Sequence, residues 1–185
     1  MHHYRTHTCG QLTEININSK VKLSGWIHSK RDHGALLFID LRDQFGITQI
    51  VIDKNNSVFV TLEHLRVESV VTVSGKVVAR SNETINKKIN TGNIEVLVNE
   101  ANIISEAKIL PMQVAGNEHY GDEVRLKNRF LDLRRDKVKN HMILRSDIIS
   151  FIRDVMTKNG FQEFQTPILT AASPEGARDF LVPSR

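Results

Sequence analysis

Residues Ser24–Arg42 read SGWIHSKRDHGALLFIDLR, and this stretch decides the fold. Leu37, Ile39 and Leu41 alternate with Leu36, Phe38, Asp40 and Arg42. In a strand, such alternation sends one set into a core and the other to a surface. His33-Gly34 forms a turn between this run and the strand-like run before it. The reading puts Phe38 on a charged face near Lys30, Arg31 and His33. Aromatic rings beside basic side chains hold single-stranded nucleic acid by stacking on its bases. Periodicity alone leaves a second reading open, with Phe38 a core residue of a sheet covered on both sides.

Outward from this stretch the strand pattern continues. Upstream, Val21, Leu23 and Ile27 face one way and Lys22, Ser24, Trp26 and His28 the other. Gly25 interrupts the run and predicts a bulge or sharp bend. Downstream, Ile47–Ile52 is a third strand, Val58–Arg66 has helical spacing, Glu68–Arg80 is a fourth strand and Asn93–Ser105 a fifth. The polar stretch Ser81–Gly92 reads as a loop. Five strands with a helix between the third and fourth is the order of an OB-fold, a small Greek-key barrel that binds oligonucleotides.

After residue 105 the character changes. Residues 106–124 contain Pro111, Gly116 and Gly121 and read as a linker. Arg125–Arg135, RLKNRFLDLRR, predicts a short basic helix with Leu126, Phe130 and Leu133 on one side. Its arginines, with Lys137 and Lys139, are equally consistent with contact to an RNA backbone and with a solvated helix face. Asp136 is placed to cap a helix from about Lys137 to Asn159. Val138, Met142, Arg145, Ile148, Ile149, Ile152, Val155 and Met156 mark its buried stripe. Gly160 is a C-terminal stop. Phe161–Leu169 reads as a strand, and Pro167 within it points to an edge, a bulge or a subunit interface. One helix and one strand cannot bury a core of their own, so the expectation is the front part of a longer protein. The domains expected are a barrel at 1–105, the linker at 106–124, a hinge helix at 125–136 and the start of a second domain at 137–185.

Composition sets the remaining bounds. The chain has 185 residues, 40% hydrophobic and 25% charged, with a net charge of +4. This is ordinary globular composition with a mild preference for anionic partners. The single cysteine, Cys9, cannot form an internal disulfide, which fits a reducing compartment. No apolar run approaches the roughly 20 residues that span a membrane. His2, His3, His7 and Cys9 could bind a metal, but no second ligand pair follows at zinc spacing. The expectation is therefore no metal site and a frayed or partly folded N-terminus.

Three segments carry a resemblance: GWIHSKRDHGALLFIDLRD, RLKNRFLDLRR and GFQEFQTPILTAASPEGARDFLVPSR. Together they resemble bacterial-type aspartyl-tRNA synthetase, a class II enzyme, from about Cys9 to Arg185. The helix followed by GFQEFQTPIL resembles motif 1 of class II synthetases, which forms the dimer interface in that family, and Pro167 falls in it. PEGARDFLVPSR, with Arg178 and Asp179, narrows the choice against lysyl and asparaginyl relatives, which share the barrel and motif 1. The resemblance implies a mainly β chain: an OB-fold anticodon-binding barrel, a linker, then the first helix and strand of an α+β catalytic domain. Motifs 2 and 3, whose arginines bind ATP, have no counterpart here, so no complete catalytic set is expected and this polypeptide alone should be inactive. In the family, ATP and Mg2+ serve amino-acid activation, and the enzyme is a cytoplasmic homodimer whose partner is tRNA, not DNA.

The resemblance also implies roles for residues. Glu175 matches the position that binds the ammonium group of L-aspartate, with Arg178 and Asp179 ordering its loop; read from the chain alone, Glu175 is a solvated loop residue or a cap. Arg31, Phe38, Gln49 and Glu95 fall where the family reads the anticodon. Phe38 would stack on the central base, and the other three would hydrogen-bond base edges. Glu95, an acceptor, suits guanine. His33 is the pattern of non-discriminating enzymes that charge the asparagine tRNA as well as the aspartate tRNA; Glu83 matches a second discriminating position. His33 lies two residues from Arg31, which would read the third anticodon base, and imidazole can donate or accept, so it admits both pyrimidines there. An alternative outside enzymes is a free-standing OB-fold RNA-binding or regulatory protein.

Overall fold

The computed structural model describes residues 3–169 and 182–183. It divides into two compact units, Met1–Lys139 and Asn140–Arg185. In the first, five strands close a barrel: β1 (Lys20–Asp32), β2 (Leu36–Arg42), β3 (Ile47–Asp53), β4 (Val70–Ala79) and β5 (Ile94–Ser105), in the order β1-β2-β3-β5-β4. Only the β3–β5 junction is parallel. The helix α1 (Phe59–His64) lies between β3 and β4. This is the OB-fold order read from the sequence.

The alternating residues fill the barrel. Val21, Leu23, Ile27, Leu37, Ile39, Leu41, Ile50, Ile52, Val71, Val73, Val77, Ile94, Val96 and Val98 form one buried cluster, joined by Phe59 and Leu62 of α1. Each fully buried aliphatic side chain contributes about 1.5–3 kcal/mol over an exposed one.

β1 serves two partners. Lys20–Trp26 pair with β4, and Trp26–Asp32 pair with β2. The register slips between Ile27 and Ser29, so the bulge falls at His28 and not at the expected Gly25. Gly25 answers a different need: a Cβ there would meet the Arg42 carbonyl oxygen at 2.4 Å. Beyond the bulge the alternation changes phase. Arg31 stands opposite Phe38, whereas Lys30 stands opposite the buried Ile39. Lys30 Nζ therefore donates to the carbonyls of Glu63, at 2.6 Å, and of Leu65. Lys30 closes the end of α1 and does not share the face of Phe38. Partial burial pulls its pKa below the usual lysine value.

The N-terminal segment is packed from Thr6 onward, more than a frayed or partly folded terminus would be. Thr6 N donates to the Lys22 carbonyl at 2.9 Å, and Cys9 N donates to Asp43 Oδ2 at 2.8 Å. Cys9 and Leu12 enter the barrel core. Burial, reinforced by Asp43, pushes the Cys9 thiol well above its ordinary pKa.

The linker is also structured. Met112 and Val114 bury against Leu131 in a small second core. The single basic helix expected at 125–135 is two short ones, α2 (Asp122–Lys127) and α3 (Arg129–Asp132), broken at Asn128. Leu131 is the buried apolar residue, while Leu126 and Phe130 are exposed. The arginines here are occupied within the protein. Arg125 and Arg129 hold the fully buried Asp132. Arg135 lies over the Tyr120 ring, 5.1 Å from its centroid. Arg134 Nη1 donates to Glu68 Oε2 at 2.8 Å and its guanidinium lies 5.0 Å over Trp26. Glu68, at a left-handed φ of 67°, also takes two hydrogen bonds from Arg42 Nη2, at 2.7 and 3.0 Å. The other Arg42 nitrogen lies 2.8 Å from His28 Nδ1. Arginine only donates, so this histidine nitrogen accepts.

The long helix α4 (Asp136–Lys158) crosses the division between units. Asp136 is its first residue and bonds Lys139 Nζ at 2.9 Å, so it acts within the first turn and not as the cap before it. Gly160, at φ 86°, ends the helix with Gly160 N on Thr157 O and Phe161 N on Met156 O, a Schellman closure. The expected buried stripe is not buried: Met142, Ile148, Ile149, Ile152, Val155 and Met156 are exposed. Residues 161–169 carry no regular secondary structure, in place of the strand expected there.

Candidate nucleic-acid interface

Strand register builds the site. Ser29, Asp40 and Gln49 stand directly opposite one another on β1, β2 and β3. Arg31, Phe38 and Val51 form the next row. Glu95 projects from β5, which pairs with β3 one residue further on, at Ile50 and Val96. Period-two alternation thus puts Arg31, Phe38, Gln49 and Glu95 on the outer surface of one sheet.

Three of the four are joined by hydrogen bonds. Arg31 Nη2 donates to Gln49 Oε1 at 3.1 Å, and Gln49 Nε2 donates to Glu95 Oε2 at 3.0 Å. The amide orientation follows from the neighbours, since a guanidinium can only donate and a carboxylate can only accept. Phe38 is half-buried between them and the turn. The His33 ring meets it edge-on, with centroids 5.3 Å apart at 86°. The turn is set by Asp32 Oδ1, which accepts from Gly34 N at 2.7 Å, with Gly34 at φ 76°.

Three further residues belong to the network that the sequence reading did not pick out. Asp40 takes Ser29 Oγ at 2.6 Å and Arg31 Nη2 at 3.3 Å. Arg80, buried at the end of β4, donates from Nε to the Ile94 carbonyl at 3.0 Å and lies 3.9 Å from Glu95 Oε2. Its Nη2 is buried with no hydrogen-bond partner among the described residues. Burial draws the Arg80 pKa below the usual arginine value, opposed by Glu95. Asp40 was legible as a neighbour of Phe38 in the alternation; Arg80, at the edge of a polar loop, carried no such signal.

The other sequence-derived residues lie apart. Glu83 is exposed on the β4–β5 loop and makes no hydrogen bond or ion pair among the described residues. Pro167 is exposed in the second unit. Glu175, Arg178 and Asp179 lie outside the described residues.

The fold defines a class: an OB-fold barrel whose outer sheet carries a joined polar set beside an aromatic ring. Residues 21–104 match the family model described as OB-fold nucleic acid binding domain, and residues 121–185 match tRNA synthetases class II (D, K and N). The chain thus carries similarity to class II aminoacyl-tRNA synthetases downstream of an OB-fold segment. Its whole length aligns at 59% identity with an aspartate–tRNA(Asp/Asn) ligase of Paramagnetospirillum magneticum and at 57% with one of Phenylobacterium zucineum. It spans 21% and 31% of the length of these curated relatives. Among solved structures, asparaginyl-tRNA synthetase from Pyrococcus horikoshii, complexed with asparaginyl-adenylate, superposes with a TM-score of 0.78 at 28% identity. That match covers 92% of this chain and 38% of the other. Among the described residues no group of three or more His, Cys, Asp or Glu is placed to hold a metal ion. No helix among them is long and apolar enough to cross a membrane.

Proposed function

We propose that this barrel reads the anticodon of the aspartate tRNA, within an enzyme that activates L-aspartate with ATP and Mg2+ and transfers it to that tRNA. The observation that carries the reading is the joined set Arg31–Gln49–Glu95 beside an outward-facing phenylalanine. In the unbound protein Gln49 bridges Arg31 and Glu95. A base edge can offer an acceptor to the open Nη1 and Nε of Arg31 and a donor to Glu95, while the central base stacks on Phe38. His33, packed against the Phe38 edge, sits where a ring able to donate or accept would admit either pyrimidine at the third anticodon position. The asparagine tRNA is therefore a second substrate in this reading, and Glu83 is assigned to the same discrimination by family resemblance alone. Glu175 is assigned to the substrate ammonium by family resemblance, and ATP binding to parts of the enzyme beyond these residues. Translation places the protein in the cytoplasm. The exposed apolar side of α4 supports a homodimer contact, and Pro167 is assigned to it by family resemblance.

The test is a binding titration of this chain against tRNA transcripts. Phe38→Ala should weaken binding about 5- to 150-fold, the equivalent of a stacking contact of roughly 1–3 kcal/mol. The aspartate and asparagine transcripts should bind comparably, and His33→Leu should open a preference for the former. Unchanged affinity for Phe38→Ala would remove this surface from the anticodon. A large wild-type preference for the aspartate tRNA would reject the dual assignment.

A further inference from the structure

We propose that Asp40 is the positioning residue for base recognition by Arg31, an inference that rests on the anticodon reading of this face. Asp40 sits between Ser29 and Gln49 in one cross-strand row, and Arg31 reaches back to it from the next row. Its carboxylate is fixed first by Ser29 Oγ at 2.6 Å. It then takes Arg31 Nη2 at 3.3 and 3.4 Å, while the same nitrogen reaches Gln49 Oε1 at 3.1 Å. Nη2 has two hydrogens, and both are directed into the protein. Nη1 and Nε have no partner among the described residues, so the rest of the guanidinium is left to meet an RNA base.

The need for such a tether follows from exposure. The Arg31 side chain is 52% exposed, against 21% for Asp40. An unheld arginine of this kind samples many rotamers, and ordering it on binding has an entropic cost. A fixed planar donor recognises an acceptor pattern; a mobile one supplies only charge. Electrostatics sharpens the point. A carboxylate on a surface meant for a polyanion opposes attraction to the phosphates. If Asp40 acted only through its charge, its neutralisation would strengthen binding to every tRNA alike. If Asp40 positions Arg31, neutralisation lowers discrimination between anticodons.

The experiment measures the ratio of dissociation constants for two transcripts: the aspartate tRNA and the same tRNA with its third anticodon base changed to a purine. For Asp40→Asn we expect the ratio to fall about tenfold, the value of a hydrogen bond to a charged group. Arg31→Met should lose as much, and the double variant no more than either. Asp40→Glu, which keeps the charge, should recover part of the ratio, and Ser29→Ala should lose part of it with the charge intact. Thermal unfolding followed by Trp26 fluorescence checks that each variant is folded. An unchanged ratio for Asp40→Asn, or losses that multiply in the double variant, would overturn the proposal while leaving the anticodon reading standing. A wild-type ratio near one would instead overturn the anticodon reading, and this inference with it.

Discussion

Replacing Glu68 by Gln keeps the shape of the side chain and removes its charge. The Arg42 side chain is 8% exposed and that of Glu68 4%. Two bonds from one Arg42 nitrogen and a third from Arg134 converge on this carboxylate. Breaking a buried pair by deleting one partner leaves an uncompensated charge, at about 3–5 kcal/mol. At this chain length each kcal/mol moves the melting temperature by roughly 2–4 °C, so the expected drop is about 6–20 °C. The assay is built into the molecule. Trp26 is the single tryptophan of the chain, and it lies under the Arg134 guanidinium that Glu68 holds. Urea unfolding followed by its fluorescence reports the cluster directly. Arg134→Met, which removes a half-exposed partner, should lose only about 1 kcal/mol while shifting the emission. Adding Arg42→Met to Glu68→Gln should recover part of the loss, because the stranded charge is gone. A loss below about 1 kcal/mol for Glu68→Gln, the level of an ordinary surface pair, would refute the account of this cluster.

Two other expectations are independent of RNA. Burial, and then the Arg42 charge, lower the His28 pKa, so the unfolded chain binds more protons than the folded one. The stability His28 contributes is complete above its unfolded pKa of about 6.5 and is lost as pH falls below it; urea midpoints between pH 7 and 5 should show this slope, and His28→Asn should flatten it. Gly25→Ala forces a Cβ to 2.4 Å from the Arg42 carbonyl oxygen, a backbone atom that cannot swing away. Calorimetry should show a loss of about 1–3 kcal/mol, and wild-type stability would mean that β1 and β2 part there at little expense.

The barrel was legible because its signal is local. Each strand alternates with period two, and Leu37, Ile39 and Leu41 went where that period sends them. Phe38, Gln49 and Glu95 followed from the same rule, as the residues between buried ones. Lys30 was misplaced because the phase change lies at His28, where the sequence has no glycine or proline to mark it. The linker's Met112 and Val114 bury against a residue far along the chain, and no short-range pattern encodes that. The arginines of 125–135 read as a free basic strip because their partners, Glu68 and Glu118 among them, are set by tertiary approach. The stripe of α4 was correctly seen as apolar; what periodicity cannot state is which surface covers it.

The slip in β1 has a consequence for how specificity can change over time. The half of the strand before His28 closes the barrel against β4, and the half after it belongs to the hairpin with β2. The two halves share a backbone but not a set of neighbours. Substitutions at Ser29, Arg31 or His33 are therefore felt by Asp40, Phe38 and Gln49, and hardly by the β4 seam that keeps the barrel shut. The hairpin is free to vary, and a lineage can revise the surface it presents without first acquiring stability to spare.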